Sequence, residues 1–251
     1  SASNPNFFGP ATNPFGLTQT YEFAFPASAD LDGDGDQDIV VGARGENRIL
    51  WYENTGELEF VEHAIGINGG IMQGFNLEYA DLSGDGRLDI IGAGRPPGLM
   101  WIEQPAALGD AWNGFQIGTF LPDSVTGMEL ADIDGDGDAD VIAGSYSRGD
   151  RMGDDSTMDI GSALGRIGWF ENPGDAKTEW MRHDISRRKR GMFDKFIARD
   201  LDDDGDMDFI GTRGNSYPYD GVFWLEQVRT ATPVASFQRA RDVESGEMPL
   251  P

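Results

Sequence analysis

Short apolar runs recur along the chain, each directly after an acid-rich stretch: Ile39-Val40-Val41, Ile90-Ile91, Val141-Ile142 and Phe209-Ile210. A second segment follows in step: Trp51-Tyr52-Glu53-Asn54, Trp101-Ile102-Glu103-Gln104, Trp169-Phe170-Glu171-Asn172 and Trp224-Leu225-Glu226-Gln227. A third, aromatic-x-x-His-x-Ile, runs from Phe60 to Ile65 and from Trp180 to Ile185, with degenerate versions starting at Phe115 and Phe237. Gly, Asn, Asp and Pro bound these runs, which reads as strands, and no helical period is sustained. Each repeat is then four strands: a before the acid-rich stretch, b after it, c with W-x-E-[NQ], and d with the aromatic and His. The acid-rich stretches begin at 30, 81, 132 and 200, spacings of 51, 51 and 68 residues. Four-stranded units of about 40–50 residues are propeller blades. The expected fold is all-β, a β-propeller of four-stranded antiparallel blades at about 20–66, 72–121, 126–186 and 192–243. It forms a single domain over 1–251, with residues 1–19 giving an N-terminal strand that closes the ring.

The acid-rich stretches share the pattern D-x-[DS]-x-D-G-x-x-D. They hold Asp30, Asp32, Asp34, Asp36 and Asp38; Asp81, Ser83, Asp85, Arg87 and Asp89; Asp132, Asp134, Asp136, Asp138 and Asp140; and Asp200, Asp202, Asp204, Asp206 and Asp208. Oxygen-only side chains at positions 1, 3, 5 and 9, Gly at 6 for a sharp turn, and a carbonyl from position 7 suit a hard cation such as Ca²⁺. One copy would pass as an ordinary Asp-Gly turn; four in register indicate about four calcium loops. The Glu that closes an EF-hand loop at position 12 is replaced by Val41, Gly92, Ala143 and Gly211, and strands follow, so these are loops set in β-hairpins. The second loop, with Ser83 at position 3 and Arg87 at position 7, is expected to be the weakest.

These residues resemble the FG-GAP/VCBS repeat family, in the form found in bacterial secreted proteins. Val40-Val41-Gly42-Ala43-Arg44 and Ile91-Gly92-Ala93 are close to that family's "GAP" segment. The resemblance spans roughly residues 20–245 and implies a β-propeller with calcium in the a–b loops. Family propellers commonly have seven blades, and four are counted here. Closure is therefore expected from strands at Asn6-Phe7-Phe8-Gly9 and Asn13-Pro14-Phe15-Gly16-Leu17, the alternative being an arc completed by another copy.

Charge narrows the partners. The 251 residues carry a formal −25 and no cysteine, which excludes thiol chemistry and argues against nucleic acid and anionic membrane surfaces. No run of 18 apolar residues is present, so no membrane insertion is expected. Fifteen of the 44 acids occupy loop positions 1, 3, 5 and 9. Such loops in extracellular modules bind calcium at about 10⁻⁴–10⁻³ M, too weakly for cytosolic calcium. A secreted or cell-surface location is expected, as for a processed mature chain that begins Ser1-Ala2-Ser3.

Recurring residues read as structural: His63 and His183 share one repeat position, as do the four tryptophans and the four glutamates of W-x-E-[NQ]. No nucleophile elbow, phosphate loop or zinc pattern occurs. The repeats differ in their b–c connections, which carry Arg44, Arg95 and Arg213, with Tyr217 and Tyr219 in the fourth. The third has a 17-residue insertion bearing Tyr146 and Arg148; Arg148-Gly149-Asp150 spells a cell-adhesion tripeptide, a match that chance readily supplies. A basic run, Arg187-Arg188-Lys189-Arg190, sits in a d–a connection. In up-and-down blades, b–c and d–a connections share one face and the acidic loops take the other. The expected function is a non-catalytic binding or adhesion module for an acidic polysaccharide or a cell-surface or matrix component. The alternatives are a self-assembling extracellular subunit of head-to-tail copies and a polysaccharide lyase, with Tyr146, Tyr217 or Tyr219 beside Arg148 or Arg213 as its candidate chemistry.

Overall fold

Every regular element in the described residues is a β-strand, the outcome that short alternating runs between turn residues dictate. The structure is a computed structural model, and it describes residues 27–42, 48–56, 59–95, 97–121, 123–146, 165–174, 177–187, 192–214 and 220–229. Fifteen strands follow in order. The first meander is β1 (Ala27–Ala29), β2 (Asp38–Gly42), β3 (Arg48–Asn54) and β4 (Phe60–Asn68). The second is β5 (Ile71–Ala80), β6 (Asp89–Arg95), β7 (Gly98–Glu103) and β8 (Trp112–Gly118). The third is β9 (Ser124–Ala131), β10 (Asp140–Tyr146), β11 (Arg166–Glu171) and β12 (Met181–Arg187). In the fourth, the described residues supply β13 (Met192–Arg199), β14 (Asp208–Gly214) and β15 (Gly221–Leu225).

Within each unit successive strands pair antiparallel. The first strands gather at the middle: β5 touches β1, β9 and β13, and β9 touches β13. A short parallel pairing of Ile67 with Trp112 and Asn68 with Asn113 links the outer edges of the first two units. The result is an all-β, β-propeller-like array. The fourth d strand, expected near Phe237, and the closing strand of residues 1–19 lie outside the described residues.

Side chains alternate between the two faces of each meander, so the second and third units each bury two apolar faces rather than one. Val40, Ile49, Trp51 and Ile65 meet Leu77, Ile90, Met100, Ile102 and Trp112 between units one and two. Ile91, Leu99, Trp101 and Ile117 meet Val125, Met128, Val141 and Phe170 between two and three. Ile133, Ile142 and Ile167 meet Phe193, Phe196, Phe209 and Phe223 between three and four. Beyond the fourth unit the pattern stops: Ile197, Val222 and Trp224 are exposed.

The repeated tryptophans also stack across their own hairpins. Trp51 faces His63 at 4.5 Å between ring centroids, Trp169 faces His183 at 4.3 Å, and Trp101 faces Phe115 at 5.1 Å. His63 Nε2 donates to Glu53 Oε2 at 2.6 Å and His183 Nε2 to Glu171 Oε2 at 2.7 Å, so Trp, Glu and His form one structural cluster per odd-numbered unit. Trp101 is 1% exposed and Trp224 is 64% exposed. Trp101→Ala is therefore expected to cost about 3–5 kcal/mol in urea unfolding, and Trp224→Ala less than about 1 kcal/mol.

Candidate metal centre

The four a–b loops adopt one conformation. Position 6 is a glycine with φ between +84° and +99° in every copy: Gly35, Gly86, Gly137 and Gly205. Position 4 also takes positive φ, a requirement the motif reading missed; Gly33, Gly84 and Gly135 meet it, and Asp203 adopts φ 63° in the fourth loop. Aspartate tolerates this region better than most residues, yet at a cost. Asp203→Gly is expected to stabilise the protein by about 0.5–1 kcal/mol, measured as a shift in the urea midpoint at unchanged slope.

The first aspartate of the loop folds the chain around itself. Asp30 accepts from the N–H groups of Gly33 at 2.9 Å and Gly35 at 3.1 Å, and Asp132 from Gly135 at 2.7 Å and Gly137 at 3.2 Å. Positions 3 and 5 accept from the N–H two residues on, as Asp32 does from Asp34 and Asp136 from Asp138. An ionised carboxylate has about four lone-pair sites, so each retains free acceptor capacity. Oxygens of Asp30, Asp32 and Asp34, of Asp132, Asp134 and Asp136, and of Asp200, Asp202 and Asp204 lie within 4.8 Å of one another in each trio. Hard, anionic oxygens converging at that spacing fit a divalent cation of the Ca²⁺ type.

The ninth position does something different. Asp38, Asp89, Asp140 and Asp208 are buried, and both carboxylate oxygens of each are engaged. One oxygen accepts from the loop's second residue (Leu31, Leu82, Ile133 or Leu201), the other from the residue ending W-x-E-[NQ] (Asn54, Gln104, Asn172 or Gln227). Asparagine and glutamine at that last position then diverge. Asn54 and Asn172 reach their own loops at Gln37 O and Ala139 O. The longer Gln104 and Gln227 cross to the preceding unit and donate to Leu31 O at 3.0 Å and Ile133 O at 2.8 Å.

The second loop does not gather a carboxylate trio. Ser83 Oγ donates to Asp81, and Arg87 Nη2 pairs with Asp85, so a cation of the protein's own already sits against the fifth position. At position 7, Asp36 and Asp138 are exposed, while Asp206 is buried beside Arg229.

Crowding leaves its mark on the acids. Burial, followed by neighbouring carboxylates, raises Asp32, Asp134 and Asp202 above the ordinary aspartate value. Burial pushes Asp140 up to about 6 against its backbone hydrogen bonds. A folded-state pKa above the unfolded one favours the protonated form, so this stabilisation is present at low pH and lost as pH rises through about 6. In chelator, Tm should therefore rise as pH falls from 7 towards 5. In millimolar calcium, scanning calorimetry should show that rise abolished or reversed.

The remaining sequence-predicted residues fall at the opposite strand ends or outside the described residues. Arg95, ending β6, is exposed; Tyr146, ending β10, is half-buried and opposite Met192; Arg187 ends β12. Arg213, near the end of β14, is only 5% exposed, so its guanidinium packs inward. Arg44, Arg148, Arg188, Arg190, Tyr217 and Tyr219 lie outside the described residues. Sequence reading missed the polar residues of the central strands, Asn76, Glu78, Glu129, Asp194 and Lys195; their signal was charge inside otherwise apolar a strands.

Residues 30–92 match the FG-GAP-like repeat family, so the chain carries an FG-GAP-like repeat spanning the first two loops. No curated protein matches the chain. Among the described residues, no helix is long and apolar enough to cross a membrane.

Proposed function

We propose that the protein is a secreted, calcium-stabilised, non-catalytic binding module for an acidic carbohydrate or cell-surface partner. The observation that carries this reading is the separation of charge along the strands. The carboxylate trios sit where β2, β10 and β14 begin, and Arg95, Tyr146 and Arg187 sit where β6, β10 and β12 end. The acidic loops would hold Ca²⁺ through positions 1, 3 and 5 of the first, third and fourth copies. The bound ion supplies the positive charge that lets three carboxylates share one site. An opposite end carrying arginines and tyrosines suits uronate or sulfate groups, which guanidinium recognises bidentately. Calcium at a hundredfold excess over Kd should add about 2.7 kcal/mol per site. Replacing Asp134 by Asn should remove about one site's share, whereas Asp85→Asn should change the calcium-induced shift little.

Retention on immobilised polygalacturonate at low salt tests the partner class. Retention is expected to weaken at least tenfold in the Arg95→Glu, Arg188→Glu, Arg190→Glu triple variant; a wild-type protein that flows through would sink the reading. Self-assembly is favoured by one observation, the exposed Ile197, Leu201, Val222 and Trp224 on the far side of the fourth unit. Light scattering that shows a larger particle, dispersed by Trp224→Glu, would establish that second reading.

A further inference from the structure

Glu78 and Glu129 share one repeat position on the central strands, whereas Asn76, Asp194 and Lys195 each occur in one unit alone. Lys195 of β13 reaches between Glu78 of β5 and Glu129 of β9, with Nζ 2.6 Å from Glu78 Oε1 and 3.2 Å from Glu129 Oε2. Burial pulls the ammonium down, but the hydrogen bond and charge of Glu78, joined by Glu129, outweigh it and keep Lys195 protonated. Beside this trio lies a cleft of about 430 Å³ whose lining includes Ala27, Tyr79, Glu78, Asp194 and Lys195. That size is within the range of small-molecule sites.

Asp194 has no counterpart there. Its carboxylate makes no hydrogen bond or ion pair among the described residues, and burial raises its pKa. Its main chain, by contrast, is held fast. Asn76 Nδ2 donates to Asp194 O at 2.6 Å and to Thr126 O at 3.2 Å. Gly127 lets β9 come so near that a Cβ there would strike the Asp194 backbone. A half-buried carboxylate without a partner is costly to hold, and one fixed on a rigid backbone is organised in advance for a ligand. Glu78, Glu129 and Asp194 against Lys195 leave the centre with a formal −2, three negative groups against one positive, inside a protein of formal −25. Such a field concentrates cations at the site.

We propose that this central cleft binds a small organic cation, a primary ammonium on a short apolar body, with Asp194 as its counter-ion and Ala27 and Tyr79 against its apolar part. The site is separate from the acidic loops: Asp194 stands near the start of β13, whose far end leads into the fourth loop at Asp200. Calorimetric titration with benzylamine at pH 7, in calcium sufficient to saturate the loops, tests it against benzyl alcohol, the neutral analogue of the same shape. Benzylamine is expected to bind at least tenfold more tightly than the alcohol. Asp194→Asn should weaken it at least tenfold with Tm retained. Lys195→Met, which frees Glu78 and Glu129 from their internal cation, should bind it more tightly. Equal binding of amine and alcohol, no saturable binding of either, amine binding unchanged in Asp194→Asn, or displacement of the amine by further calcium would each overturn the proposal.

Discussion

A buried aspartate at the ninth position of each loop joins three parts of a unit that are distant in sequence. Asp38, Asp89, Asp140 and Asp208 have almost no contact with water, and each is satisfied by two backbone N–H groups from different segments. One bond fixes the acidic loop on strand b; the other fixes the end of strand c on the same carboxylate. Removing such a carboxylate would strand buried N–H donors, which costs more than the bonds themselves contribute. That constraint places the carboxylates of positions 1, 3 and 5 side by side at the surface, where they repel one another in the absence of a cation.

The loop's second residue carries the same constraint into the packing between units. Its N–H is held by the ninth-position aspartate, and its side chain enters the adjoining core: Leu31 between units one and two, Leu82 between two and three, Ile133 between three and four. Loop geometry and inter-unit packing are thereby coupled, so a cation held by a loop would also stabilise the packing between units. Leu201, the fourth member of the series, is 46% exposed. Gln104 and Gln227 add a polar tie across two of the three junctions by bonding the backbone carbonyls of Leu31 and Ile133.

Chemistry that departs from the repeat is found at the centre and at the strand ends away from the loops. Polar residues of the central strands meet one another around the middle, where like charges need a counter-charge between them. Glu78 and Glu129 tolerate each other because Lys195 stands between them. In the second unit, Lys177 takes over part of the odd units' histidine role, pairing with Glu103 at 3.1 Å and lying over Trp101 and Phe115. The same cluster is thus completed from a neighbouring unit when its own strand supplies phenylalanine.

Strand content, the hairpin position of the loops and their oxygen-rich character were legible in the residues themselves. Each is a local property: alternation, turn chemistry and acid spacing act within about ten residues. That the second loop gathers no carboxylate trio was legible for the same reason, since Ser83, Asp85 and Arg87 are neighbours in the chain. Three matters were decided only by tertiary structure. The ninth-position aspartate turned inward because one of its two donors lies up to 32 residues away, as Asn172 does from Asp140. Arg213 was buried rather than displayed, because its strand packs against neighbours that no local pattern names. Asp194, whose carboxylate has no partner among the described residues, acquired its setting from Asn76, 118 residues away. A motif records which groups a chain possesses; which of them lose water on folding depends on what arrives from elsewhere in the sequence.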